Sequence, residues 1–324
     1  MAGVFLFSAQ PEVKNNIERQ EKPPDPVSSS KRARSSDGGE NSNLRKSMGD
    51  SFKSKLLSAS NPNQWQGLNS GKGKLKIEEG DITITVRQLL EKNDKGHVIA
   101  TCRNPNGAMG LLDLKNKFAE RLDILHLDLA VESTIEASAT SVREKYGSLN
   151  LLINASGILS IPNVLQPETA LNKVEKSSLM LSYEVNAVGP ILVIKHIWPL
   201  LKVGGGTGTE RDVAVVANLS ARVGSIGDNR LGGWYSYRSS KAALNQLTKN
   251  VSVEFARKKD PVICILLHPG TVDTDLSRPF QRNVPEGKLF TKEFSVQKLL
   301  GIINKAKRHD NGKFFAWDGQ EIPW

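Results

Sequence analysis

The sequence predicts an α/β fold in which a mostly parallel sheet is covered by helices on both faces, a doubly wound arrangement. From about residue 86 onward, short runs of Val, Ile and Leu alternate with longer stretches of helical period. Continuous apolar strands of this kind are typical of strands buried on both faces. The strand ends carry small and polar residues, in "CRNP", "LDLA", "NASG", "NLSA" and "HPGT". Because ligands bind at the carboxyl ends of parallel strands, we expect a binding site at this edge.

Apolar runs and helical spacing place the elements of this region in alternating order. Helices are predicted over residues 131–147 and from residue 234 onward, where apolar residues recur three and four apart. A longer helix is predicted over residues 176–201, with an interruption at Gly189-Pro190. Apolar runs predict strands over residues 97–102, 122–129, 149–157, 212–220 and 262–270.

The first 72 residues have a different composition. They are rich in Ser, Asn and charged residues, and "EKPPDPVSSSKRARSSDGGENSN" has neither helical nor strand periodicity. Such a segment buries too little apolar surface to offset its ordering entropy, so residues 1–72 are predicted to be a disordered basic, Ser-rich extension. The domain is then predicted over residues 73–324. The opening "MAGVFLFSAQ" is too short for a secretory signal peptide, and targeting to an organelle stays an open alternative.

Composition excludes several classes of function. The formal net charge is +10, but no basic run is interleaved with aromatic residues, so no nucleic-acid partner is expected. The longest apolar run is interrupted by Lys195 and His196, so no membrane span is expected. The five histidines lack metal-ligand spacing, and no metal site is predicted. Cys102 and Cys264 lie in apolar runs and are predicted to be buried thiols, which favours a reducing, cytoplasmic compartment.

The stretch "WYSYRSSKAALNQLTK" contains a candidate catalytic pair. Tyr237 and Lys241 are four residues apart, so a helix places them on one face, one turn from each other. One interpretation is an ordinary surface tyrosine beside a surface lysine. The other is a phenol whose pKa is lowered by the adjacent ammonium so that it exchanges a proton near neutral pH.

Four motifs in order favour the second interpretation. "NASG" (154–157), "EVNAVGP" (184–190), "YRSSK" (237–241) and "HPGTVDTD" (268–275) follow one another with separations of 32, 51 and 33 residues between their key positions. Together with "NLSARVGSIGDN" they resemble the short-chain dehydrogenase/reductase family, nearest to its C-factor or sniffer-like carbonyl reductases. The resemblance covers residues 86–324. It implies a Rossmann-like fold and an oxidoreductase that reduces a carbonyl or oxidises an alcohol by hydride transfer.

The resemblance also implies catalytic roles. Tyr237 would donate its proton to the developing alkoxide, while Lys241 lowers the tyrosine pKa and binds the nicotinamide ribose. Asn186 would hold a water that completes a proton relay. The family usually has Ser-Ser after the fifth strand, but Ala221 occupies the second position here. The catalytic hydroxyl is therefore predicted to come from Ser220 or Ser225, with the choice left open.

The cofactor is expected to be NADP rather than NAD. An acid at the end of the second strand would bind a ribose 2′-hydroxyl, whereas an arginine attracts a 2′-phosphate, and "ATCRNP" supplies Arg103 and no acid. The resemblance implies that Asp128 contacts the adenine. Close backbone approach or further cofactor contact is implied for Asn154, Ala155, Gly157, Pro269, Gly270, Thr271 and Thr274, together with Tyr237 and Lys241.

One family feature is missing from its expected place. The glycine-rich strand–turn–helix unit should precede "VRQLLEKN" (86–93), but the chain has "SGKGKLKIEEGDITIT" (70–85) there. If "ITIT" is the strand, no glycine loop follows it; if "KLKI" is the strand, the turn becomes "EEGD", which places three carboxylates beside a pyrophosphate. Two hypotheses therefore stand. The first is an NADP(H)-dependent reductase. The second is a catalytically impaired, cofactor-free relative, which either has a binding or structural role or is an unstable variant.

The sequence restricts the partners only broadly. The expected substrate is a small carbonyl compound or alcohol, covered by a mobile lid over residues 275–294 with Phe280 and Phe290 as candidate apolar contacts. Relatives pair through the helices that here contain Asn186 and Tyr237, so a homodimer or homotetramer is expected.

Overall fold

The computed structural model describes Val4–Ser8, Gly80–Leu201 and Arg211–Trp324. In the described residues, short 3₁₀ segments include Arg222–Gly224 and Arg278–Asn283. The helices are α1 (Gly80–Lys92), α2 (Met109–Lys117), α3 (Glu132–Tyr146), α4 (Lys176–Tyr183), α5 (Gly189–Leu201), α6 (Tyr235–Lys258) and α7 (Lys292–Lys305). The strands are β1 (Val4–Ser8), β2 (His97–Cys102), β3 (Leu122–His126), β4 (Leu151–Asn154), β5 (Ala214–Leu219), β6 (Val262–His268), β7 (Thr271–Val272), β8 (Leu289–Phe290) and β9 (Phe314–Ala316).

Seven of these strands form one sheet in the order β3-β2-β1-β4-β5-β6-β9. All neighbouring pairs are parallel except those of β1, which runs antiparallel to both β2 and β4. Strands β7 and β8 form a separate parallel pair. The predicted mostly parallel, doubly wound sheet is confirmed.

Apolar clusters cover both faces of the sheet. On one face, Val86 of α1 and Leu300 of α7 pack with strand residues such as Val215. On the other face, Val193 of α5 packs with residues such as Val216 of the same strand. Successive residues of β5 thus enter opposite cores, as expected for a strand buried on both sides. Cys102 and Cys264 are both buried, as predicted.

Strand β1 corrects the predicted disordered extension. The prediction of disorder over residues 1–72 is wrong for Val4–Ser8, which form an interior strand, the third of seven in the sheet. The three middle residues of β1 pair on both sides, with Leu6 opposite Ile99 on one neighbour and opposite Leu152 on the other. A five-residue apolar segment satisfies its backbone in this position although its sequence surroundings are polar. Residues 9–79, and with them "KLKI", lie outside the described part of the chain.

Helix α1 corrects the alternative in which "ITIT" is a strand. These residues lie inside α1, which begins at Gly80. Ile82, Val86 and Leu90 are four residues apart and pack together against the core. This spacing of four, and not the alternation over "ITIT", determines the element because it buries one face of a helix.

The long helix over residues 176–201 is continuous and contains a π-helical turn. Residues Glu184–Val188 connect α4 to α5 through wider hydrogen bonding, directly before Gly189-Pro190. The predicted interruption is therefore a change of helix type. A Cβ on Gly189 would lie 2.6 Å from Leu129 Cβ, so a glycine allows this close approach. By length and composition this 26-residue helix is apolar enough to cross a membrane, a property that core helices of globular domains share.

Candidate active site

The predicted tyrosine–lysine pair is buried at the carboxyl edge of the sheet. Tyr237 and Lys241 lie in the first two turns of α6 and are 9% and 3% exposed. The Lys241 Nζ lies 5.9 Å from the centroid of the Tyr237 ring. The interpretation as an ordinary surface pair is therefore wrong.

The Lys241 ammonium is held at the end of β5. It donates a hydrogen bond of 2.9 Å to the carbonyl oxygen of Leu219, the last residue of that strand. A Cβ placed on Gly157, just after β4, would lie 3.2 Å from Lys241 Nζ and 3.3 Å from Asn186 Oδ1. Gly157 therefore keeps open a small space between the lysine and the asparagine, where two neighbouring parallel strands end.

Asn186 lies within the π-helical turn and is fully buried. Its Oδ1 accepts a hydrogen bond of 2.7 Å from the Ile158 N–H, and its Nδ2 donates to the Ile158 carbonyl oxygen at 2.9 Å. The same Nδ2 donates to Ser240 Oγ at 3.0 Å. Asn186 thus links the loop after β4 to α6 through hydrogen bonds, and its partner on α6, Ser240, directly precedes Lys241. One lone pair of Oδ1 is left for a further donor.

Burial shifts the pKa values of the pair in opposite directions. Burial raises the pKa of the Tyr237 phenol above its usual value of 10. Burial lowers the pKa of the Lys241 ammonium to about 8. Desolvation is the cause of the rise in the Tyr237 pKa, and the expected lowering of this pKa by the Lys241 ammonium is not observed. Tyr237 is therefore protonated at neutral pH.

The two candidate serines lie in different surroundings. Ser220 donates a hydrogen bond of 2.6 Å to Asn245 Oδ1, eight residues and about 12 Å beyond Tyr237 along α6. Ser225 accepts a hydrogen bond of 3.1 Å from the Asp228 N–H. The residue before it, Gly224, contacts the backbone of Lys241 so closely that a Cβ there would lie 2.8 Å from Lys241 Cβ.

The predicted adenine-side residues follow β2 and β3. Arg103 is exposed directly after β2, at the carboxyl edge. Asp128 accepts a hydrogen bond of 3.0 Å from the Ala130 N–H through Oδ1 and thereby shapes the turn before α3. Burial, together with the charge of Asp128, raises the pKa of the nearby Glu184 carboxyl. Asp128 therefore stabilises the turn after β3. The role in adenine binding that the family resemblance implies for Asp128 remains a prediction.

Asn154 belongs to a buried polar ladder at the end of β4. Its Nδ2 donates to Asn218 Oδ1 at 2.7 Å, and Asn218 donates to Thr248 Oγ1 on α6 at 2.8 Å. The Asn154 Oδ1 is buried without a hydrogen-bond partner. The following Ala155 packs against the apolar core.

The Pro269-Gly270 loop is closely covered by aromatic rings. Gly270 has φ +79°, and a Cβ there would lie 2.5 Å from the Phe290 ring. Only glycine adopts this conformation in this space without strain. Thr271 begins β7, and Thr274 follows in the turn after it, where its carbonyl oxygen accepts from the Ser277 N–H. Phe290 therefore packs under this loop.

Phe280, in contrast, lies on the tyrosine side of the site. Its ring centroid is 4.9 Å from that of Trp234, and the Trp234 and Tyr237 centroids are 6.3 Å apart. None of the sequence motifs predicted a role for Trp234 or for its neighbour Glu168, which is 4% exposed. A signal for Trp234 was present in "GGW" before the helix, whereas nothing in the local sequence distinguishes Glu168.

The direction of β1 alters the cofactor edge. Val4 lies opposite Asn154 and Ser8 opposite His97, so the chain leaves β1 at the amino edge of the parallel strands. Helix α1 begins at the carboxyl edge. Its Thr83 side chain lies so close to Gly110 that a Cβ on this glycine would be 2.7 Å from Thr83 Oγ1, and Gly110 is at the start of α2, which follows the end of β2. A tight turn therefore does not join β1 to α1.

Comparisons with known proteins agree with this fold. The family model described as short chain dehydrogenase matches residues 83–285. C-signal of Myxococcus xanthus is 31% identical over 178 residues, which cover 55% of this chain and 94% of that protein. The NADPH-bound carbonyl reductase from chicken fatty liver has a TM-score of 0.61 and 32% identity, covering 70% of this chain and 87% of that one. Carbonyl reductase Sniffer of D. melanogaster has a TM-score of 0.61 and 29% identity, covering 70% and 88%.

The fold and the matches define an NAD(P)-dependent oxidoreductase with a Rossmann-like architecture. The chain belongs to the short-chain dehydrogenase family, and the predicted resemblance to C-factor and sniffer-like carbonyl reductases is confirmed.

Proposed function

We propose that this chain reduces a small carbonyl compound with NADP(H) and uses Tyr237 as the proton donor. The observation that carries the proposal is the buried pair of Tyr237 and Lys241 beside the space that Gly157 leaves open. The carbonyl reductase similar to this chain that was solved with NADPH supports the choice of cofactor. The exposed Arg103 after β2 suits a 2′-phosphate, which a carboxylate there would repel.

The nicotinamide half of the cofactor fits the residues that are present. Gly157 and the Lys241 ammonium provide an open space and a donor for the ribose, and Asn154 lies at the end of the same strand. Gly270 and Thr271 stand after β6, where the carboxamide would bind. The cofactor would supply the hydride that reduces the carbonyl carbon.

The residues of the chain control the proton that completes the reduction. When the carbonyl carbon gains a hydride, its oxygen takes the proton from the Tyr237 hydroxyl. Burial favours proton donation by Tyr237 because it raises the pKa of the phenol and keeps it protonated until the alkoxide forms. The Lys241 ammonium then stabilises the phenolate, and Asn186 supports a water-mediated route for its reprotonation.

Ser225 is our choice for the hydroxyl that orients the substrate oxygen. Ser220 is engaged by Asn245 about two turns of α6 beyond Tyr237. Ser225 follows Gly224, which contacts Lys241, and its hydroxyl proton is free to donate. Trp234 and Phe280 form the apolar wall for the substrate, which favours an aromatic or aliphatic carbonyl compound.

One observation favours a second candidate function, a cofactor-free relative that binds partners. In the family, the pyrophosphate lies on a glycine turn between the first strand and the first helix. Here β1 is antiparallel, so the chain leaves it at the edge opposite the start of α1. The backbone N–H groups at the start of α1 would have to hold the pyrophosphate without that turn.

A cofactor titration separates the two functions. NADPH fluorescence is followed while the full chain is added, and turnover is then measured with a panel of aromatic and aliphatic aldehydes and ketones. The reductase predicts saturable binding and loss of NADPH absorbance with substrate. Absence of binding in the well-folded chain would exclude the reductase and favour the second candidate.

A further inference from the structure

We propose that Glu168 is a positioning residue of the active site, which fixes the first turn of α6 and thereby the placement of Tyr237. The proposal deepens the proposed function and rests on it for its catalytic consequence. Glu168 lies in the loop between β4 and α4, far from α6 in the sequence. Its side chain is buried, and its carboxylate accepts a hydrogen bond from a backbone N–H in the first turn of α6.

Glu168 holds the start of α6 at three points. Its carbonyl oxygen accepts a hydrogen bond of 2.6 Å from the Trp234 N–H. Its carboxylate Oε2 accepts from the Ser236 N–H at 3.1 Å, and its Oε1 accepts from the Ser236 hydroxyl. The carboxylate thus replaces the side chain that normally caps a helix, since Trp234 at the N-cap position provides none. An anion at this end also interacts favourably with the helix dipole.

The backbone between these contacts has an unusual conformation. Trp234 has φ 49° and ψ 45°, in the left-handed region that non-glycine residues rarely adopt. Glu168 accepts hydrogen bonds from the Trp234 N–H itself and from the Ser236 N–H two residues later, so it fixes the backbone on either side of the Trp234 Cα. The same conformation turns the Trp234 ring toward Tyr237 and Phe280. Loss of these hydrogen bonds would release both Trp234, with its left-handed backbone, and Tyr237, which follows three positions later.

The loop that carries Glu168 is itself firmly held. Ile158, Ile161 and Leu165 form a buried apolar cluster with Leu181 of α4. The Ile161 N–H donates to the Leu165 carbonyl oxygen at 2.7 Å, three residues before Glu168. Asn186 binds both backbone groups of Ile158. Glu168 therefore transfers the rigidity of this loop to the first turn of α6.

The test compares Glu168→Ala, Glu168→Gln and the matched control Glu175→Ala in the full chain. Glu175 is an exposed glutamate of the same loop, before α4. Hydrogen exchange by mass spectrometry is expected to be about fivefold faster over residues 234–240 in Glu168→Ala, the effect of a lost helix cap. The last turns of α6 should exchange as in the wild type, and Glu175→Ala should change neither region. Glu168→Gln keeps the acceptor and should restore protection.

Turnover provides the catalytic arm of the same test. Glu168→Ala should lower kcat about 10- to 100-fold through misplacement of Tyr237, with the NADPH Kd unchanged and with rescue by Glu168→Gln. Unchanged exchange over residues 234–240, or equally faster exchange in all helices, would overturn the proposal. If Glu168→Ala does not fold, Ser236→Ala decides in the same way through local exchange. A wild type that reduces no carbonyl would refute the proposed function, while the exchange arm still decides the hold of Glu168 on α6.

Discussion

Val4 lies directly opposite Asn154 in an antiparallel strand pair, so the start of β1 reaches the edge of the sheet where β4 ends. An interior position of the sheet, between β2 and β4, is thus filled by a strand of reversed direction. This relationship links the stability of the domain to five residues near the start of the chain. It also separates that strand from the helix to which a cofactor-binding turn would join it.

The position of β1 can be tested with Leu6→Pro. Leu6 pairs with a strand on each side, so proline removes one ladder hydrogen bond and cannot be accommodated in a central strand. We expect a loss of about 3 kcal/mol in the free energy of unfolding, measured by denaturant titration. Leu6→Val keeps the N–H and serves as the control. Equal stability of the proline and valine variants would contradict the place of β1 in the sheet.

Tyr237→Phe tests the proton donor. The ring packs as before, so the fold and the NADPH Kd should stay unchanged, whereas carbonyl reduction should fall at least about 100-fold because the general acid is lost. Tyr235→Phe is the matched control, since Tyr235 is partly exposed two residues earlier. Turnover by Tyr237→Phe at the wild-type rate would remove Tyr237 from the proposed role.

Arg103→Asp tests the selection of the 2′-phosphate. The change removes a cation and adds a repelling carboxylate after β2, so the NADPH Kd should rise about 10- to 100-fold, with NADH affected little. Lys95→Asp makes the same charge change at an exposed position before β2, at the opposite edge of the sheet. Kd values for both cofactors come from fluorescence titration. A preference that stays constant in Arg103→Asp would show that the 2′-phosphate is held by other groups.

The lowered pKa of Lys241 predicts a pH dependence of stability. Between pH 8 and 10.5 the unfolded lysine is protonated and the folded one is neutral, so the free energy of unfolding should rise with pH in this window. The contribution is about 3 kcal/mol over the whole window and is constant below pH 8. The raised pKa of Tyr237 acts in the opposite direction, but only above pH 10.

Lys241→Met isolates this contribution. Denaturant titrations at intervals from pH 7 to 10 should show that the wild type gains stability relative to Lys241→Met as the pH rises. Lys258→Met, at a half-exposed surface lysine, should leave the wild-type profile unchanged. A wild-type profile parallel to that of Lys241→Met would mean that the Lys241 pKa is not lowered by burial.

The sequence alone determined the features that depend on neighbouring residues. The spacing of Tyr237 and Lys241 places them on one face of any helix, and runs of Val, Ile and Leu identify the parallel strands. The order of motifs identified the family and the edge of the sheet where the site lies. These signals are local because backbone geometry fixes how residues a few positions apart are arranged.

Only the tertiary structure decided what depends on distant contacts. Val4–Ser8 read as part of a polar extension, yet the sheet provides partners about 90 and 150 residues away that satisfy its backbone. The direction of the Tyr237 pKa shift follows from burial, which the spacing of two residues does not reveal. The difference between Ser220 and Ser225 depends on their partners, since Ser220 donates to Asn245 of α6 whereas Ser225 accepts from the Asp228 N–H. The hydrogen bonds of Glu168 join the loop after β4 to the first turn of α6, and such contacts between distant segments are formed by packing of the whole domain and not by local propensity.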